Sequence, residues 1–318
     1  MPWKARPCFV APDSNVLKSP FVAHDAAFFD AGILHGDISV GNILIHNGRG
    51  LLIDWDLCFI LDVEGKAPRR AQQTVSIFSF IMRCGLILLY TQGTWQFMSV
   101  AILQDPEKVH DICDDRESAF YVLTWTALRY GHHDQMHPDH LRQHLERYDY
   151  SYPAGKYIKG GELKRLMLYT HILSNEVTFN PPLNRLIEDL TAHLHARYVK
   201  IEATNQENLE SVTKLITELE QAPADTETQP NLELWQQIRV RNPAYKIPML
   251  LKRLETRNWL VETMRRHLAE SDWPLDDNAY LDKYRSVSNS KKRPLDEDSC
   301  MEGAPRSKRR AAYLDGVV

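Results

Sequence analysis

The sequence predicts a mainly α fold with a small β-hairpin element. Apolar residues recur at helical spacing through most of the chain after residue 110, and two short apolar runs flank a His-Asn-Gly turn within residues 33–55. Apolar residues make up 43 % of the 318 positions against 25 % charged, the balance of a globular protein with a sizeable core.

In chain order, residues 20–31 set Phe21, Ala23, Ala27, Phe28 and Ala31 at helical spacing, with Gly32 where a C-terminal cap belongs. Asn42-Ile43-Leu44-Ile45, the turn at Asn47-Gly48, and Leu51-Leu52-Ile53-Asp54 read as a hairpin. A helix apolar nearly all round is expected over 114–130, carried by Phe120, Leu123, Trp125, Ala127 and Leu128. Residues 183–198 and 206–221 read as amphipathic helices and 221–231 as a proline-containing linker. Residues 250–271 read as a further helix, stopped by Trp273-Pro274. From Leu281 the chain loses apolar residues and reads as a charged, disordered tail.

Composition excludes a wholly disordered or fibrous chain, and a net charge of −4 gives no bulk attraction to nucleic acid. Cys8, Cys58, Cys84, Cys113 and Cys300 are odd in number and never form a CxxC pair. A reducing compartment is therefore expected, without a disulfide framework or zinc site. The apolar run Ser76–Tyr90 is shorter than the roughly 20 residues a span needs and carries Arg83, so no membrane segment is expected. Met1–Arg6 has no apolar core behind its charges, so no secretory signal is expected either. His132, His133, His137, His140 and His144 are read as polar loop histidines, because Pro138 breaks their helical spacing and no Cys or Glu completes a zinc site.

Chemistry concentrates at the hairpin. Leu34-His35-Gly36-Asp37 leads to Asn42, and Ile53-Asp54-Trp55-Asp56 follows on the neighbouring strand. Asp37, Asn42 and Asp54 then converge at the hairpin mouth. Hard oxygen ligands suit Mg²⁺, and a carboxylate beside them orients a hydroxyl for attack on phosphorus. Asp56 is the rival metal ligand. Asp54 is preferred because it follows the strand directly, which leaves Asp56 to cap the next turn.

This arrangement resembles the catalytic and metal-binding loops of the protein kinase fold. Gly93-Thr94-Trp95-Gln96-Phe97-Met98-Ser99 resembles the end of a kinase activation segment, and Asp115-Arg116-Glu117-Ser118 the start of the kinase central helix. The blocks ILHGDISVGNILI, LLIDWDL, GTWQFMS, DDRESAFYVL and DWPLDD are similar, in wording and order, to the fungal-type protein kinase family over residues 20–280.

The resemblance implies a protein kinase-like C-terminal (large) lobe over 20–280, between a 1–19 extension and a 281–318 disordered basic tail. It implies serine/threonine-type transfer of phosphate from ATP-Mg²⁺ to the hydroxyls of an unidentified protein substrate. Asp37 would be the catalytic base and His35 its support. Asn42 and Asp54 would hold Mg²⁺ on the nucleotide phosphates. Thr94 would shape the platform under the substrate backbone, Trp95 and Phe97 would pack, and Asp115 would brace the catalytic loop.

Several positions depart from the pattern. Gly36 replaces the Arg that pairs with a phosphorylated activation segment, so no such switching is expected. Ser39 replaces a phosphate-contacting Lys, and Ala101 replaces a Glu, which removes a lobe-bracing ion pair. Only 34 residues precede His35, too few for a small lobe of about five strands. A large lobe lacking the small lobe, its glycine-rich loop and its gripping lysine is expected, with weak or no ATP binding and a chain inactive as written. Removing Val75–Gln92 joins Thr74 to Gly93 and restores the family's block. Val75-Ser76 and Gln92 are encodable as an intron's start and end, so these 18 residues are expected to be a retained intron, apolar and prone to aggregate.

Two alternatives stand beside the kinase. One is a catalytically silent, kinase-derived protein-binding module. The other is a small-molecule phosphotransferase, suggested by His-Gly-Asp but opposed by the peptide-platform block. Lys291–Arg293 and Lys308–Arg310 resemble a bipartite signal read by a nuclear import receptor, favouring the nucleus over the cytoplasm. No aromatic residue interleaves these clusters, so direct nucleic-acid binding is not expected.

Overall fold

The structure, a computed structural model, describes residues 15–62, 94–134, 137–221 and 228–274. These are mostly helical with small antiparallel strand pairs. The insert 75–92, Gly93 and the basic tail with Lys291–Arg293 and Lys308–Arg310 lie outside the described residues.

Helix α1 (Asn15–Ala31) begins earlier than the spacing predicts, takes Pro20 inside it, and so crosses the boundary placed at residue 19. Gly32, at φ +65°, ends it with its amide on the Phe28 carbonyl. The predicted hairpin is β2 (Ile43–His46) against β3 (Arg49–Leu52). Asn47 and Gly48 both take positive φ, as a two-residue turn with the strands' twist requires. A second pair was not predicted: β1 (Ile33–Leu34) against β4 (Phe59–Ile60). Two-residue strands carry too little alternation to read from sequence. This pair clasps the two ends of the segment that contains Asp37, Asn42 and Asp54.

Short α2 (Val100–Gln104) is capped by Ser99. The long α3 (Ile112–Tyr130) starts with a reciprocal box between Asp111 and Asp114 and is buried almost throughout, as its all-round apolar pattern predicts. Next come α4 (Pro138–Asp149) and an unpredicted hairpin, β5 (Ser151–Ala154) with β6 (Tyr157–Gly160). Pro153 inside its first strand masks the pattern. Helices α5 (Glu162–Thr170), α6 (Ile172–Glu176) and α7 (Pro181–His195) follow, and one 3₁₀ turn continues α7 to Tyr198. Leucines 183, 186, 190 and 194 of α7 pack in the same core as Phe120, Leu123 and Leu128 of α3.

Helix α8 (Ala203–Gln221) matches its prediction, but α9 (Thr228–Arg241) takes up the end of the expected linker. The single helix expected over 250–271 is two, α10 (Pro243–Leu254) and α11 (Trp259–Leu268). Asn258 breaks them at φ +61°, and its amide is taken by the Asp25 carboxylate of α1.

The histidine reading is also corrected. Pro138 starts α4 rather than breaking it, because a first-turn proline has no amide to waste. His137 is its N-cap, and His133 and His144 are buried rather than in polar loops. Burial and the Arg147 charge lower the His144 pKa to about 4. Among the described residues, no group of three or more His, Cys, Asp and Glu is placed to hold a metal, and no helix is long and apolar enough to cross a membrane.

Candidate functional site

Asp37 lies in the loop between β1 and β2, held from two directions. Its Oδ1 accepts the Thr94 amide at 2.7 Å, and its Oδ2 accepts Asn42 Nδ2 at 3.1 Å. The same Nδ2 donates to the Asp37 carbonyl at 2.8 Å. The carboxylate is thus oriented while lone pairs stay open for a further donor. His35 is fully buried below: Nδ1 accepts the Asp37 amide at 3.3 Å and Nε2 donates to the Ile53 carbonyl at 2.9 Å. The ring packs edge-on against Trp55, centroids 4.7 Å apart. It therefore ties the Asp37 loop to the residue before Asp54.

Asp54 follows β3 in the left-handed region, φ 63° and ψ 61°, exposed and making no cap bond to the turn it heads. Asn42 is coupled to it through the Ile53 amide, which donates to the Asn42 carbonyl at 2.9 Å. With Nδ2 committed to Asp37, Asn42 keeps Oδ1 as an acceptor. An exposed carboxylate and an amide oxygen are hard donors of the kind Mg²⁺ takes. Asp56 sits inside the turn Trp55–Leu57 and is exposed. The capping role expected for it is not made: Asp54, not Asp56, heads that turn.

Asp115, near the start of α3, is wholly buried and reaches the backbone beside Asp37. Its carboxylate accepts the His35 amide at 2.9 Å and the Gly36 amide at 3.1 Å. The His24 and His110 rings, at 2.9 and 2.8 Å, complete its partners. Burial alone would raise this carboxyl; the two rings overcome that and hold it well below its ordinary 3.8. His24 is the reverse case: burial lowers its pKa, but Asp115 and Asp25 raise it above 6.5.

Gly36 has a local reason. At φ +78°, a Cβ there would meet Phe59 Cε2 at 2.5 Å, so an arginine at this position has neither the backbone nor the room. Ser39 is buried and heads the turn Val40–Asn42.

Residues 15–127 match the family described as fungal protein kinase. Over that stretch the chain is similar to the family. No curated protein and no solved structure matches the chain.

The matched stretch supplies Asp37, Asn42, Asp54, Thr94 and Asp115 and most of the groups that hold Thr94's turn, and Arg197 and Tyr198 join them from beyond it. Phe97 packs at 5.7 Å against Trp125, and Trp95 packs with Met98, Ile102 and Leu103. Ser99 Oγ donates to Asp114 at 2.7 Å, and the Val100 amide donates to Glu117 at 2.8 Å. Arg197, after α7, closes this cluster at 2.5 Å from Glu117 and 2.8 Å from Asp114. Tyr198 Oη donates to Glu117 at 2.6 Å and accepts the Ala101 amide at 3.2 Å. Arg197, outside the matched stretch, thus pairs with two buried carboxylates of α3.

Sequence reading singled out Asp115 alone in the run Asp114-Asp115-Arg116-Glu117. All of these are buried, and each is paired: Arg116 bonds Asp25 at 2.9 Å and the Leu254 carbonyl. The legible signal was a block of charges opening a helix apolar all round, since such charges must be paired when buried. Lys164, Arg197 and Tyr198 carried no such signal.

Proposed function

We propose that the chain carries a serine/threonine-type protein phosphotransfer site of the kinase-like fold, using ATP and Mg²⁺. The observation that carries this reading is the Asp37 carboxylate held between Asn42 and the Thr94 amide, which joins a catalytic-loop carboxylate to the turn before α2. A small-molecule enzyme has no use for that turn, so it favours a protein substrate.

In this reading the substrate hydroxyl donates to the open lone pairs of Asp37. Its oxygen attacks the γ-phosphorus, the bond to the β-phosphate oxygen breaks, and the hydroxyl proton passes to Asp37, leaving ADP and a phosphorylated side chain. Asn42 Oδ1 and the exposed Asp54 carboxylate would hold Mg²⁺, which neutralises phosphate charge when bound. His35 and Asp115 do no bond-making; they keep the loop where Asp37 needs it. An oriented base of this kind contributes roughly 10²–10⁴-fold in rate.

The test is transfer from γ-labelled Mg-ATP by the full chain to a mixed protein acceptor. Label on serine and threonine is the expected outcome at nucleotide concentrations high enough that weak ATP binding no longer limits transfer. Label confined to small molecules, or no label at any nucleotide concentration, would contradict it.

A further inference from the structure

Lys164, on α5, is a long cationic side chain only 1 % exposed, with no carboxylate within salt-bridge reach among the described residues. Its Nζ instead donates to two backbone carbonyls, Trp95 and Met98, at 3.0 Å each, and lies 4.7 Å from the centre of the Tyr121 ring. Those carbonyls bracket the 3₁₀ turn Trp95–Phe97. Inside the turn, Phe97 N donates to the Thr94 carbonyl at 2.9 Å, and Thr94 N is the donor on Asp37. One side-chain amine therefore clamps both ends of the turn whose first amide orients the candidate base. Among the described residues, no other side chain bonds both carbonyls.

We propose that Lys164 is a positioning residue: by bridging the Trp95 and Met98 carbonyls it sets the turn that presents the Thr94 amide to Asp37. The catalytic consequence rests on the phosphotransfer reading; the clamp does not.

The clamp has a proton-linked signature. Glu117 and Tyr121 face Lys164 from α3 and Asp149 from the end of α4, while residues 94–98 carry no ionisable side chain. Burial pulls the ammonium from 10.5 to about 7, with Glu117 and Asp149 opposing. Undocking the turn exposes Lys164 to water and restores its ordinary affinity for a proton. The open state then binds more protons between about 7 and 10.5, so the docked turn strengthens as pH rises through that window.

The experiment is pulsed hydrogen exchange on the full chain, wild type against Lys164→Met, which keeps the stem and removes the donors. Exchange is corrected for its intrinsic pH dependence. In wild type, protection of the Thr94, Phe97 and Met98 amides should rise from pH 7 to 9. In Lys164→Met that rise should vanish, and at pH 9 protection of those amides should be about tenfold lower, the loss of roughly one hydrogen bond, with α3 and α7 unchanged. The same pH dependence in both proteins, or a loss spread over the whole core, overturns the proposal. The wild-type pH series stands alone if the variant does not fold: protection that is flat or falling with pH overturns the clamp. Phosphotransfer is read in parallel, where the variant should lose kcat and its pH dependence with the KM for nucleotide unchanged. If Asp37→Asn transfers phosphate as wild type does while exchange still depends on Lys164, the phosphotransfer reading fails and the clamp stands.

Discussion

The Asp115 carboxylate accepts hydrogen bonds from His24, His35, Gly36 and His110, groups drawn from α1, the Asp37 loop and the approach to α3. Its value lies in what would be left without it: two buried backbone amides and two rings lacking an acceptor. Asp115→Asn should therefore destabilise the fold by about 3–5 kcal/mol in urea unfolding, the usual cost of breaking a buried charged pair. The pH dependence follows from the directions of the shifts. Asp115's contribution is complete above 3.8 and is lost as pH falls through its lower folded value, so the variant should show a shallower acid limb. His24 contributes fully below 6.5 and loses that contribution as pH rises through its raised value, so His24→Gln should flatten the alkaline side. At Gly36, substitution by alanine meets both Phe59 and a left-handed backbone. A loss of about 1–3 kcal/mol is expected, read as a lower urea midpoint at unchanged slope.

Helix α3 holds the Asp37 loop through Asp115 and α2 through Asp114 and Glu117. Burial would raise the Asp114 carboxyl, but the Arg197, His110 and Lys108 charges hold it well below its ordinary value. Arg197→Met should cost about 3–5 kcal/mol because it leaves Asp114 and Glu117 buried without their cation. Glu117 also loses an ordering partner, so hydrogen exchange at the Val100 and Ala101 amides should accelerate more than exchange in α7. The elements themselves were unevenly legible. Helix α3 was readable because a long, all-round apolar pattern admits little else. The β1–β4 clasp was not, because two residues a strand show no period, and neither was the α10–α11 break, because it is made by Asp25 on α1, a tertiary partner more than two hundred positions away.

Across the whole molecule, the candidate site is where local and distant information meet. Asp37 and Asn42 fall within one short loop, so their pairing was readable from spacing. Thr94 is 57 positions from Asp37, and its place followed only from the family's block order. Lys164 and Arg197 lie further along, in helices whose apolar faces look ordinary, and only packing brings them beneath the 94–102 segment. The kinase-family stretch thus carries the proposed chemistry, while the helices after it supply the cations that hold the platform. The most direct test is phosphotransfer from Mg-ATP to protein hydroxyls by the full chain, comparing wild type with Asp37→Asn at matched urea midpoints. A loss of about 10²–10⁴-fold in the variant, with its fold intact, is the predicted result. Equal rates in the two proteins would contradict the assignment of Asp37 as the base and, with it, the phosphotransfer account of the site.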